Sequence, residues 1–299
     1  MKVNKEMSNK KWDVEISPDA PLLKLNLKEI WRYRDLLFLL VKRDVVTLYK
    51  QTILGPLWYL IQPLLTSVIF TIIFNGIADI EIKDGVNPFL FNLAGITIWN
   101  YFSECFKNTS DTFKKNENIF NKVYFPRAIM PISIVISNLV KFGIQMLIFL
   151  GFYLFYSFSG QAGAINKSII LFPVMVLVMG MLGLGFGMIV SSLTTKYRDL
   201  TFLVGFGIQL LMYVSAVMYP IEVATEKLAN KIPEYADLVT ALIKGNPLAN
   251  IVESFRYMFL SQGQLNTTSV LYTVIVSIII FCIGLFIFNR TEKSFVDTI

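Results

Sequence analysis

Few side chains in this 299-residue sequence have the type and spacing that chemistry requires, and none of them assemble a catalytic centre on their own. There is no histidine, which excludes a Ser-His-Asp triad, a zinc site and a His proton relay within this chain. Cys105 and Cys282 have no metal-ligand spacing and sit in or beside apolar runs, where they read as small buried hydrophobes. No phosphate-binding loop of the form G-x-x-x-x-G-K-[ST] occurs. The glycines from Gly180 to Gly187 lie inside an apolar run, where they let helices approach closely. If ATP drives this protein, another polypeptide binds it. Asp111, Glu117 and Asp199 are scattered over polar loops and do not form the acid cluster a transferase needs.

Two ionisable residues stand within apolar runs. Lys141 falls near the middle of one, where an unpaired charge costs about 2.5–3.5 kcal/mol or more. It either contacts an anionic substrate in a wet cavity or bonds to carbonyls and partners inside a bundle. Glu104 sits near the cytoplasmic end of another run, where it can snorkel to the interface. Their depths do not match, so no pairing between them is expected.

The elements that position these residues follow from composition. Hydrophobic residues make up 55% and charged residues 16%, with 25 Phe. Soluble domains carry about 25% charged residues. A bilayer core about 30 Å thick needs about 20 mostly apolar helical residues. Six runs qualify: Leu54–Gly76, Pro88–Phe106, Ala128–Phe158, Ile169–Leu193, Thr201–Tyr219 and Ser269–Asn289. They lack the in-out alternation of barrel strands. The expectation is an all-α membrane protein whose six transmembrane helices form one domain over residues 53–299.

Charge sets the orientation. Met1–Ile53, Lys107–Arg127, Thr194–Leu200 and Arg290–Ile299 hold 20 of the 27 Lys and Arg, against 6 in the other connections. Both termini are therefore expected in the cytoplasm. Met1 to Lys50 has no apolar signal region, which agrees. Residues 1–25 form a polar tail. From Asn26, an N-cap candidate with Glu29 three residues on, a basic amphipathic helix runs to about residue 52. Its apolar face carries Ile30, Leu37, Phe38, Val41, Val45 and Leu48, spoiled by Arg34 and Asp44. It is either a simple interfacial anchor or a docking element. The outer segment 220–268 is too polar to span, although Leu248–Leu260 is amphipathic enough to dip into the outer leaflet.

Arg43-Asp44, then Tyr49-Lys50-Gln51-Thr52-Ile53-Leu54-Gly55-Pro56-Leu57-Trp58 and Gln62-Pro63, begin a series of short motifs in order along the chain. They resemble the lead-in to the first span of the ABC-2 type permeases, closest to the branch that exports O-antigen, capsular polysaccharide and teichoic acid. Gly95 and Trp99 resemble its second span, and Phe125-Pro126-Arg127 with Pro131 the start of its third. Tyr197-Arg198-Asp199, Met218-Tyr219-Pro220, Asn246-Pro247-Leu248 with Glu253, Phe255 and Arg256, and the tail residues Glu292, Phe295 and Asp297 continue the match.

The resemblance implies an ABC-2 permease fold, two copies of this chain, and two copies of a separate ATPase that binds ATP and Mg. This chain itself would hold no cofactor and no metal. It implies a bacterial cytoplasmic membrane location, a lipid-linked glycan and membrane lipids as partners, and no nucleic acid. The loop 108–127 would couple to the ATPase through Lys114, Asn116, Asn118 and Lys122, with Tyr197, Arg198 and Asp199 as a second contact; by charge alone these are equally a solvated face. Translocation would run between copies along the first and fifth spans. Trp58, Tyr59, Tyr213 and Tyr219 offer flat faces for sugar rings, and Gln62, Thr66 and Gln209 offer hydrogen bonds. The same aromatics also suit plain packing or an interfacial belt. Lys42, Arg43 and Lys50 would meet a pyrophosphate-linked head group at the cytoplasmic entrance, or ordinary anionic lipids. An exporter of a small lipid or drug is the nearest alternative. An ion-coupled transporter is further off, because no repeat or central carboxylate is present.

Overall fold

The computed structural model describes residues 27–50, 57–82, 85–120, 125–197, 199–231 and 233–295, and every regular element among them is helical. Asn26, the tail before it, Gln51 to Pro56, Lys122, Arg198 and Asp297 lie outside the described residues, as does the side chain of Asn118. The order is α1 (Leu27–Arg32), α2 (Arg34–Lys50), α3 (Trp58–Phe70), a π-helical turn (Thr71–Ile77), α4 (Pro88–Ser110), α5 (Thr112–Phe120) and α6 (Ile129–Phe158). A 3-10 turn (Lys167–Leu171) leads into α7 (Phe172–Thr194). Then come α8 (Leu200–Val214), α9 (Ile221–Lys231), α10 (Pro233–Lys244), α11 (Pro247–Leu260) and α12 (Thr267–Phe295).

Among the described residues four stretches are long and apolar enough to cross a bilayer: Trp58–Ile77, Ile129–Phe158, Lys167–Thr194 and Thr267–Glu292. The other two expected spans differ in instructive ways. The 23 residues of α4 measure about 34 Å, but Asn92 and Thr97 make it more polar than a lipid-facing helix. It sits at the centre, buried without interruption from Leu90 to Trp99. A helix wrapped by others needs no lipid-like surface, provided its polar groups are satisfied. The Thr97 hydroxyl donates to the Leu93 carbonyl at 2.7 Å. The Asn92 amide donates to Thr71 Oγ1 and Asn75 Oδ1 at 3.1 and 3.0 Å, tying the π turn to α4. The expected fifth span to Tyr219 ends as helix at Val214, because Ala216 turns left-handed at φ 52°.

Glycines bring α7 onto both neighbours. A Cβ on Gly183 would lie 2.7 Å from Cys105 Cβ of α4, and Gly185 meets Gly284 of α12 backbone to backbone. Cys105 is buried in this seam, whereas Cys282 is exposed on α12, against the expectation that both are buried.

The expected single amphipathic helix is two, α1 and α2, joined at Tyr33. The inward face also differs from the simple stripe. Leu40 is buried, and Ile30, Tyr33, Leu36 and Leu37 pack with it against Phe113, Phe120 and Ile129. Phe38 instead projects outward with Trp31 and Leu39. Thus α2 has one apolar face for the bundle and a second, exposed among the described residues, that suits a bilayer interface.

Outside, α11 is the packed member of the segment 220–268. Ile251, Val252, Phe255, Met258 and Phe259 are buried against α4, α7 and α12. Asn246 caps it by accepting from the Leu248 amide at 2.9 Å, and its own amide reaches Ser215 Oγ at 3.0 Å. The end of α8 and the start of α11 are thereby joined.

Candidate functional site

Lys141 and Glu104 form an ion pair, Nζ to Oε2 at 3.2 Å, which the depth argument had set aside. The reason is direction. Helical side chains lean toward their own N-terminus, and α4 and α6 run in opposite senses, with Phe89 beside Phe152 and Tyr101 beside Phe142. Lys141 therefore leans back toward the start of α6 while Glu104 leans toward the start of α4, and the two converge. The Tyr59 ring of α3 lies 5.4 Å from the same ammonium. Lys141 is thus a bundle residue with a partner, and it also borders a cavity between α2, α5 and α6.

Replacing Lys141 by Met should lower the thermal midpoint of the detergent-purified protein by the equivalent of about 1–2 kcal/mol. A fully buried broken pair costs more, about 3–5 kcal/mol, but the Glu104 side chain is 41% exposed. Adding Glu104→Gln should recover most of the loss. A double variant as unstable as the single one would show that the pair is not the cause.

The residues assigned to a transport path fall on two helices that leave most of their surface bare. Only Pro63 and Ser67 of α3 and only Val204 and Ile208 of α8 are buried. On α3 the exposed stripe runs Trp58, Gln62, Leu65 and Ile69; on α8 it runs Phe202, Phe206, Gln209 and Tyr213. Both advance by alternating steps of four and three, the spacing of a helix-packing seam. Both also carry a glutamine where pure hydrocarbon contact would leave an amide unpaired. Thr66 is half-buried and donates to the Gln62 carbonyl at 2.8 Å. Tyr219 does not join this face: its hydroxyl turns back to the Tyr213 carbonyl at 2.6 Å.

On the other side, α5 exposes Lys114, while Asn116 points inward, donating to the Thr112 carbonyl at 2.9 Å. Tyr197 and Asp199 are exposed in the α7–α8 loop. Of the basic residues on α2, Lys42 and Lys50 are exposed, and Arg43 folds onto Asp44 at 2.8 Å.

The most densely bonded polar group was not among the site residues expected from the sequence. Arg256 of α11 is 3% exposed. Its guanidinium donates to the carbonyls of Ala216 (2.8 Å), Val217 and Phe91 (3.3 Å), and lies 3.7 Å over the Phe91 ring. The carbonyls of Ala216 and Val217 lie just past the end of α8, and that of Phe91 belongs to α4. Burial lowers the pKa of this guanidinium, and Glu253 opposes that shift. Burial likewise raises the Glu253 carboxyl, against a hydrogen bond from the Gln264 amide. Gly95 makes the space: a Cβ there would lie 2.6 Å from the Val217 oxygen. A second joint ties the start of α6 to the end of α12, where Arg127 Nη1 donates to the Glu292 carbonyl at 2.9 Å. Gly95, Arg127, Arg256 and Glu292 all belong to the short motifs, so those motifs mark joints.

Comparison with known proteins agrees with this geometry. The family model described as ABC-2 type transporter matches residues 35–260. The chain is 28% identical over 263 residues to an "O-antigen export system permease protein RfbA" of Klebsiella pneumoniae, covering 88% of this chain and 94% of that protein. It is 25% identical over 273 residues to a protein of the same description from Myxococcus xanthus, covering 91% and 98%. Motif order and helical architecture therefore point the same way.

Proposed function

The chain belongs to the ABC-2 type transporter family, and on that premise we propose that it is the permease subunit of an ATP-driven exporter of lipid-linked polysaccharide. The relatives are described as O-antigen export permeases, and the cargo class proposed for this chain is an O-antigen, capsular or teichoic-acid-like polymer. The observation that carries the reading is the pair of bare stripes on α3 and α8, each apolar at seam spacing and each bearing a glutamine. Two copies of the chain meeting there enclose a path whose walls stack on sugar rings through Trp58 and Tyr213. Gln62, Thr66 and Gln209 supply hydrogen bonds along it.

In this reading all six apolar helices cross a bacterial cytoplasmic membrane, with both termini inside. Two copies of an ATPase sit beneath, holding ATP and Mg. They touch Lys114 on α5 and Tyr197 and Asp199 in the α7–α8 loop; Asn118, Lys122 and Arg198 complete the set from outside the described residues. Lys42 and Lys50, exposed on α2, attract the phosphate-bearing head of the cargo. The chain does no chemistry. Nucleotide hydrolysis on the partner moves α5 and opens the path.

Co-purification with its ATPase and reconstitution into vesicles provides the test. A stable complex that exports a lipid-linked glycan only when ATP is hydrolysed is the expected result. Failure of any ATPase subunit to associate, or export driven by an ion gradient without nucleotide, overturns the reading.

A further inference from the structure

A cavity of about 300 Å³ separates α2 from α5 and α6, and the transport path makes no use of it. Its walls include Arg43, Asp44, Lys115, Ser137, Asn138 and Lys141. The volume is at the small end for ligand pockets, about 300–1,000 Å³. Asn138 is 2% exposed, yet its amide nitrogen meets no oxygen acceptor and has only the Cys105 sulfur beside it. A buried amide donor left this way costs about 1–3 kcal/mol. Lys141 brings three N–H donors to the same place, and Glu104 supplies its one acceptor oxygen among the described residues.

The charges around the cavity select what it can hold. Each cation of the cavity already has a carboxylate: Arg43 with Asp44 at 2.8 Å, Lys115 with Asp111 at 3.1 Å, Lys141 with Glu104 at 3.2 Å. Six opposite charges cancel, so a multiply charged anion finds little net attraction. A neutral molecule with a separated anion and cation fits such a site, since each of its ends finds a complement. The surroundings place it at a bilayer. Phe38 and Leu39 project from α2, and Leu139 and Val140 from α6 beside Lys141, all exposed. These faces need hydrocarbon, while the cavity between them needs polar groups.

We propose that this cavity holds the head group of a zwitterionic bilayer phospholipid, a phosphodiester bearing a primary ammonium. Asn138 and Lys141 donate to the phosphate oxygens, and Asp44 accepts from the ammonium. The lipid then bridges the interfacial helix to the bundle next to α5, so its presence stiffens the segment that meets the ATPase. This site is separate from the cargo path and does not depend on which glycan is carried.

The full-length protein, equilibrated in mixed micelles and read by native mass spectrometry, tests this directly. Phosphatidylethanolamine should be retained at least tenfold more than phosphatidylglycerol or phosphatidylcholine, whose heads lack an ammonium or its N–H donors. Asn138→Leu should reduce that retention about tenfold. Asp44→Asn, a change on the outer helix that leaves the core intact, should abolish the preference among the three lipids. Equal retention of all three by the unaltered protein, or a preference for the anionic lipid, overturns the proposal. So does a preference unchanged in Asp44→Asn. Water-soluble glycerophosphoethanolamine and inorganic phosphate should compete only weakly; competition as strong as the intact lipid would sink the bilayer source.

Discussion

Replacing Arg256 by Met should cost about 3–5 kcal/mol and leave little folded protein extractable from the membrane. The guanidinium bonds to the carbonyls of Ala216, Val217 and Phe91 at once, and without it the two past the end of α8 lose their buried donor. Met fills similar volume, so the loss reports the hydrogen bonds and not a cavity. Arg256→Lys should rescue little, because one ammonium cannot reproduce the planar fork that reaches three carbonyls and covers the Phe91 ring. Gly95→Ala should fail in the same way, since its methyl occupies the space between the guanidinium and Val217. The readout is the fraction of monodisperse protein after detergent extraction, together with its thermal midpoint. A midpoint for Arg256→Met within about 1 kcal/mol of the parent would remove Arg256 from this role.

Converting Gln62 and Gln209 together to Leu should do the opposite to stability and abolish transport. Leu is more favourable than Gln in a lipid-facing or helix-packing position, so insertion and extraction should hold or improve. If the two stripes bound a wet path, however, two leucines per copy make a hydrophobic constriction that sheds water. Export by the reconstituted complex should then fall at least tenfold, while ATP hydrolysis by the partner continues. Undiminished export with normal assembly would mean that these stripes face lipid, and the path would have to be sought elsewhere.

How far the sequence foretold this depends on which property of a residue was decisive. Hydropathy located the helices, because the length of a bilayer span is a strong constraint. It failed at Val214, where the apolar run continues but the backbone turns at Ala216. Helical periodicity placed Ile30 and Leu37 on the packed side of the interfacial pair yet misplaced Phe38, because that helix is apolar on two faces and a stripe count assumes one. The pairing of Lys141 with Glu104 was hidden for a different reason. Position along a helix does not fix the depth of a charge, because a long side chain leaning toward its helix start shifts it. Arg256 was visible as a motif residue, but its role required knowing where α8 stops. Only a buried arginine on an otherwise apolar helix face hints at it, and burial is not in the sequence. Asn138 gave no signal at all, since one amide in a long apolar run looks like ordinary helix glue.

The π turn at Thr71–Ile77 has a consequence for α3 as a whole. An i to i+5 step places one extra residue in a turn, which offsets every later side chain by about 100° relative to a continuous α-helix. Asn75 is swung by that offset onto Asn92, and its amide reaches the Ile80 carbonyl at 2.7 Å. Excising a single residue from the turn would reset the angular phase and aim this asparagine at the hydrocarbon. The outer third of α3 therefore works as a quarter-twisted spout, angled away from the line of the inner stripe by the count of its residues alone.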